Sequence, residues 1–154
     1  MRRLLVTSLG LVGALIIVGA VMGLAPNRTE ALCLQPAEDG NWTNTDPNTR
    51  SITRISLRFV CQDVRLNGQL YPPGPPWHVH VFGACHPVDC DWGEAGARWT
   101  SSERIYAVYD QGFAKTYLWA KMSQYRSGQL WVYTWTDFAD PARSDYGSQD
   151  WFGK

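Results

Sequence analysis

The chain has no excess of charge, with fourteen Lys and Arg against fourteen Asp and Glu in 154 residues. Without Arg2 and Arg3, which head a segment of different character, twelve cations face fourteen anions. Such a slightly acidic body argues against nucleic acid as a partner. The chain also has no internal repeat, coiled-coil pattern or low-complexity tract, which excludes solenoid, rod and disordered-tail architectures. No serine sits in a strand-turn-helix elbow, so a hydrolase nucleophile has no recognisable seat. Carboxylates do cluster at Asp89, Asp91 and Glu94, but glycoside chemistry needs a fixed separation across a cleft, which spacing alone does not supply. The chain therefore leans away from catalysis and implies no cofactor. If it is an enzyme, His80 or His86 is the general base to test.

Aromatic residues are missing altogether before Gly40, and all twenty (8 Trp, 7 Tyr, 5 Phe) lie beyond it. The first part of the chain is instead a basic pair followed by an uncharged run from Leu4 to Ala25. That is the pattern of an export signal, and the run is also long enough to span a bilayer. Residues 1–31 are thus read as either a cleaved signal peptide or a helical membrane anchor. Both put residues 32–154 outside the cytoplasm as one domain with its core at 40–152. Leu32 directly before Cys33 disfavours a lipidation site.

Four cysteines in a small exported domain favour two disulfides. Cys85 and Cys90 are the natural local pair, which leaves Cys33 with Cys61. Sequence alone permits three pairings.

From Gly40 onward the hydrophobic period is two. Ile55, Leu57 and Phe59 alternate with Arg54, Ser56 and Arg58. Trp77–Phe82, Ile105–Tyr109, Thr116–Met122 and Leu130–Asp137 are further strand candidates. Asn67-Gly68 has hairpin-turn composition, and the proline-rich stretch Pro72–Pro76 cannot continue a ladder. The expected fold is all-β, a small antiparallel barrel or barrel-like sandwich of about seven or eight strands.

On two of these strands Tyr117 and Trp119, and Trp131, Tyr133 and Trp135, oppose aliphatic neighbours such as Leu118, Ala120, Leu130 and Val132. Either the aromatics fill the core, or the aliphatics do and the Trp/Tyr face is a platform for a glycan or another flat ligand.

All three histidines fall within HVHVFGACHPVDCDWG, residues 78–93. His78, His80 and His86 with nearby aspartates are residue types that suit zinc or copper. The alternative is a strand that ends in a disulfide-stapled, aspartate-capped turn, with the histidines as hydrogen-bonding groups. His80, His86, Asp89 and Asp91 then become polar contacts at the rim of a binding site.

Gly40–Asn44, Asp46–Ile55, Val79–Pro87 with Asp89–Gly93, and Arg143–Tyr146 with Trp151-Phe152 together resemble a group of small exported bacterial domains. The Cys-His-Pro-x-Asp-Cys-Asp-Trp-Gly stretch carries most of that resemblance. It implies a bacterial exported protein and no particular chemistry. Phe59–Trp77 departs from the pattern as an insertion, and His78 falls at a position the pattern leaves open. Gly40-Asn41-Trp42 is also similar to the Gly-x-Trp of lipocalin-like and avidin-like barrels, which implies that Trp42 closes the barrel floor.

The function expected from these readings is an exported barrel that binds a glycan or small flat molecule. One alternative is an envelope-associated protein-interaction module tethered through Leu4–Ala25, and another is a metal-binding protein that uses the histidine cluster. The oligomeric state is left open.

Overall fold

In the computed structural model, residues 33–154 are described, and every regular element among them is a strand. The expected signal or anchor segment lies outside the described residues. Ten strands follow in order: β1 (Gly40–Asn44), β2 (Ile52–Phe59), β3 (Val64–Leu66), β4 (Gln69–Tyr71), β5 (Trp77–Gly83), β6 (Cys90–Trp99), β7 (Ile105–Asp110), β8 (Ala114–Met122), β9 (Leu130–Phe138) and β10 (Tyr146–Gly153). Eight of them form a closed antiparallel barrel in ring order β1-β10-β9-β8-β7-β6-β5-β2, while β3 and β4 make a separate two-stranded sheet. Each barrel strand pairs with the next barrel strand along the chain. β10 returns to β1 through Thr43 opposite Gly153 and Asn44 opposite Phe152, so the barrel has no free edge.

Side-chain alternation decides which residues fill the barrel. β5 alternates strictly, with Trp77, Val79, Val81 and Gly83 buried between half-buried His78, His80 and Phe82. Ile55 and Leu57 of β2, Ile105 and Ala107 of β7, Leu118 and Ala120 of β8, Leu130 and Val132 of β9, and Phe152 of β10 complete an aliphatic interior. Trp42 and Trp77 lie at one end of it. The Trp42 indole N–H donates to the Glu38 carbonyl at 2.8 Å, and the Lys154 ammonium lies 4.6 Å from the Trp42 ring centroid. Trp42 is only 2% exposed and closes this floor.

Two barrel strands, β6 and β10, escape a reading by period. β6 (CDWGEAGARW) buries only Ala97, and its Gly, Ala and Glu content is poor in β-formers. β10 (YGSQDWFG) buries only Phe152. Neighbours on both sides supply the pairing that composition does not announce.

Both disulfides form, Cys33–Cys61 and Cys85–Cys90, with Cα separations of 5.9 and 5.4 Å. Such bonds are consistent with an extracytoplasmic location. Asn67 and Gly68 adopt φ of 52° and 81°, the positive pair that a two-residue hairpin turn requires.

Tyr109 faces inward and donates its hydroxyl to the Val79 carbonyl at 2.6 Å. Burial, aided by the nearby Glu94 and Asp91 charges, pushes its ionisation well above the ordinary value of 10.0. Because the folded-state pKa is raised, this stabilisation is complete below about pH 10. It is lost above that, where the unfolded phenol ionises first, at up to about 1.4 kcal/mol per pH unit. Tyr109→Phe should flatten this alkaline limb in denaturation curves at pH 8 to 11.5. It should cost about 0.5–1.5 kcal/mol at neutral pH for the lost hydrogen bond. An unchanged alkaline slope in the variant would exclude Tyr109 as its source.

Candidate functional site

The barrel interior changes chemistry along its axis. On β9 the inward row runs Leu130, Val132, Thr134, Thr136, and on β8 it runs Ala120, Leu118, Thr116. At the end opposite Trp42 the core therefore turns from aliphatic to hydroxyl-bearing. The Thr116 and Thr136 hydroxyls are 3.3 Å apart, Thr134 and Ser148 2.8 Å, and Ser51 and Ser148 3.0 Å. Beside them Asn44 donates to the Ile52 carbonyl at 2.8 Å and to Asp150 at 3.1 Å. Buried hydroxyls satisfy one another here, so they cost little to fold while remaining able to re-pair with a ligand.

This polar end opens into a cavity of about 430 Å³. Thr116, Thr134, Thr136, Ser51 and Ser148 form its base, Trp92, Phe113, Phe138 and Tyr146 its aromatic wall, and Arg50 and Arg143 its rim. The Arg143 guanidinium lies 3.7 Å from the Phe138 ring centroid, which steadies it at the opening. Trp92 is seated by Gly83, where any Cβ would stand 2.6 Å from the indole Nε1. Only glycine leaves room for that ring.

The stapled turn borders the same mouth through Ala84, Cys85, Cys90 and Asp91. Asp91 accepts from the Gly93 backbone N–H at 2.7 Å and pairs with His80 Nε2 at 2.6 Å. The Gly93 hydrogen bond and then His80 hold its carboxyl below the usual carboxylate range. Asp89 accepts from the Thr53 hydroxyl at 2.8 Å and from Arg54 Nε at 3.4 Å. Asp91 thus caps a backbone N–H at the turn's exit, whereas Asp89 ties the turn to side chains of β2.

His78 and His80 point to the outside of the barrel, each with its own carboxylate. His78 Nδ1 is 2.7 Å from Glu94, which Arg58 also contacts at 3.3 Å. Partial desolvation of Glu94 acts upward on its pKa, but His78 and Arg58 outweigh it and hold the carboxyl low. His80 stacks on Phe82 at 4.6 Å between ring centroids, and Arg54 covers the same Phe82 at 4.2 Å. His86 lies exposed in the turn, with no side-chain hydrogen bond among the described residues.

The expected set of His78, His80 and His86 is therefore not gathered into one ligand cluster. Two of these rings are held by separate carboxylates on the barrel wall and the third sits in the loop. Among the described residues the one group with convergent metal-ligand atoms is Cys33, Cys61 and Asp63. Its two sulfurs are bonded to each other and cannot serve as thiolates.

The aromatic residues singled out in sequence lie on the outer wall, across β8 and β9. Trp119 packs between Tyr106 and Tyr133 at 5.4 and 5.7 Å, and Tyr133 and Trp131 lie 6.2 Å apart and nearly parallel. Tyr117 stacks along β8 on Trp119 at 6.4 Å. Trp119 and Trp131 are half-buried and Trp135 is 39% exposed. Arg104 and Lys121 approach the Trp131 ring at 5.5 and 5.9 Å, so cations cover part of this face.

The structure thus separates two regions that sequence reading joined, the outer aromatic wall and the histidine wall, and adds a third, the mouth. Sequence reasoning passed over Thr116, Thr134, Thr136, Ser148 and Trp92. The signal available was the core-facing row of β9, where hydroxyls replace aliphatics two residues after Val132. A recess of about 470 Å³ at the floor end, lined by residues such as Glu38, Trp99, Glu103 and Lys121, has no fully buried residue in its wall. In comparisons with protein-family models, curated proteins and solved structures, nothing matches the chain.

Proposed function

We propose that this barrel is a binding protein that works outside the cytoplasm, and that it takes a glycan or a small flat hydroxylated molecule at its mouth. The observation that carries the reading is the switch of the barrel interior to threonine and serine hydroxyls beneath an aromatic wall. Concave sites with a few convergent polar groups and apolar sides are where small ligands are held. Hydroxyls at the base can exchange their mutual hydrogen bonds for those of a polyhydroxylated ligand, while Trp92 and its aromatic neighbours offer faces for stacking. Asp91, shared with His80, supplies an acceptor at the rim, and Arg50 and Arg143 supply donors.

A second reading places the glycan on the outer wall, over Tyr117, Trp119, Trp131, Tyr133 and Trp135. The half-exposed row Tyr106–Trp119–Tyr133 favours it. The two readings separate in one experiment. A saccharide and small-molecule panel is titrated calorimetrically against the native protein, and any hit is repeated on two double variants. Thr116→Val with Thr136→Val removes both members of a hydrogen-bonded pair and keeps their shape, so stability should stay within about 1 kcal/mol. Binding should weaken tenfold or more, or about 1.4 kcal/mol. Trp119→Ala with Tyr133→Ala should leave the affinity unchanged. The opposite pattern moves the ligand to the outer wall, and a panel with no hit refutes both versions.

A further inference from the structure

Between β2 and β5 the chain leaves the barrel and forms the β3–β4 hairpin, which pairs with nothing else among the described residues. All six of its strand residues are exposed. Four of them are large and apolar: Val64 at 53%, Leu66 at 59%, Leu70 at 45% and Tyr71 at 52%. The register sets Val64 opposite Tyr71 and Leu66 opposite Gln69 on one face, and Leu70 opposite Arg65 on the other. A free two-stranded hairpin is marginal in water, and this one leaves all four of these apolar side chains exposed.

Its base, by contrast, is firmly held. Cys61 is bonded to Cys33, the Gln62 amide donates to the carbonyls of Pro72 and Gly74 at 2.9 and 2.8 Å, and the Val60 N–H donates to Pro76 at 2.8 Å. The result is a hairpin with apolar side chains along its strands and the Asn67-Gly68 turn at its tip, tied down at its base.

The Cys33–Cys61 bond brings the start of the described chain to the base of this hairpin. Seven residues, 26–32, separate Cys33 from Ala25, the last residue of the uncharged run that begins at Leu4. Fully extended, the chain from Ala25 to Cys33 reaches at most about 29 Å. Any bilayer that holds Leu4–Ala25 therefore lies within reach of the hairpin. Two more apolar side chains sit toward the same end: Leu34, next to the disulfide, and Tyr125 in the β8–β9 turn, at 75% and 95% exposure.

We propose that the β3–β4 hairpin is a membrane-contacting element. Val64, Leu66, Leu70 and Tyr71 enter the interface of the bilayer in which Leu4–Ala25 is anchored, and Arg65 lies at headgroup level. The barrel floor then faces the lipid, and the hydroxyl-lined mouth, at the other end of β2 and β5, opens away from it. This inference rests on the anchor reading of Leu4–Ala25 and is independent of what the mouth binds.

The test uses the full chain in phosphatidylethanolamine/phosphatidylglycerol vesicles, with the photo-crosslinker benzoylphenylalanine in place of Leu66, Leu70 or, as a mouth-end control, Phe113. All three positions are exposed, so folding is not at issue. Lipid adducts at residues 66 and 70 should exceed those at 113 by at least fivefold. A chain that floats with the vesicles but yields equal adducts at all three positions, or protein adducts at residue 66, overturns the hairpin contact and leaves the anchor standing. A chain that loses its N-terminal segment on export and does not float overturns both.

Discussion

Trp77→Ala should lower the unfolding free energy by about 3–5 kcal/mol, the cost of deleting a large buried aromatic. Trp77 is fully buried at the barrel floor and packs on Phe59 and Trp99 at 5.1 and 5.4 Å between ring centroids. No neighbouring strand can collapse into the space, because the closed hydrogen-bond ladder holds the strands apart. Trp77→Phe should behave differently. The buried Trp77 indole N–H has no partner, and an unmet buried donor costs about 1–3 kcal/mol. Phenylalanine loses packing but removes that penalty, so the net cost should be no more than about 2 kcal/mol. Urea denaturation of the two variants checks the contrast, and an alanine variant within about 1 kcal/mol of the parent would show that Trp77 does not support the floor.

Removing the Cys33–Cys61 disulfide, as Cys33→Ser with Cys61→Ser, should cost about 3–4 kcal/mol. Its ends are 28 residues apart, and a longer loop restrains the unfolded chain more. Cys85→Ser with Cys90→Ser opens a bridge whose ends are only 5 residues apart and should cost about 2 kcal/mol. Its larger effect belongs at the mouth, which both sulfurs border. Denaturant midpoints give the first comparison and ligand titration the second. If the short bridge is worth more to stability than the long one, it orders more of the chain than the turn it closes.

Much of the barrel is legible in alternation. Ile55 and Leu57, Trp77 to Val81, Ile105 and Ala107, and Leu130 and Val132 each place a core residue at every second position, because a strand turns alternate side chains to opposite faces. The Asn67-Gly68 turn and the Cys85–Cys90 staple are equally local and equally readable. The histidines are not. His78 and His80 do share a face, as their spacing requires, but which carboxylate meets each ring depends on how β5 registers against β6. A shift in that register after His80 brings Asp91 to it. Residue type alone suggested a metal, while register distributes the ligands in pairs along a wall.

What the sequence by itself determines is therefore the strand class, the inward and outward faces of the best-patterned strands, and the local staples, since each of these depends on residues a few positions apart. Only the tertiary structure decides that β10 closes on β1, that β3 and β4 stand outside the ring, and that Thr116, Thr134, Thr136, Ser51 and Ser148 meet at one mouth. Those residues come from β8, β9, β10 and the bend before β2, up to 97 positions apart, and barrel closure alone brings their hydroxyls within hydrogen-bonding distance.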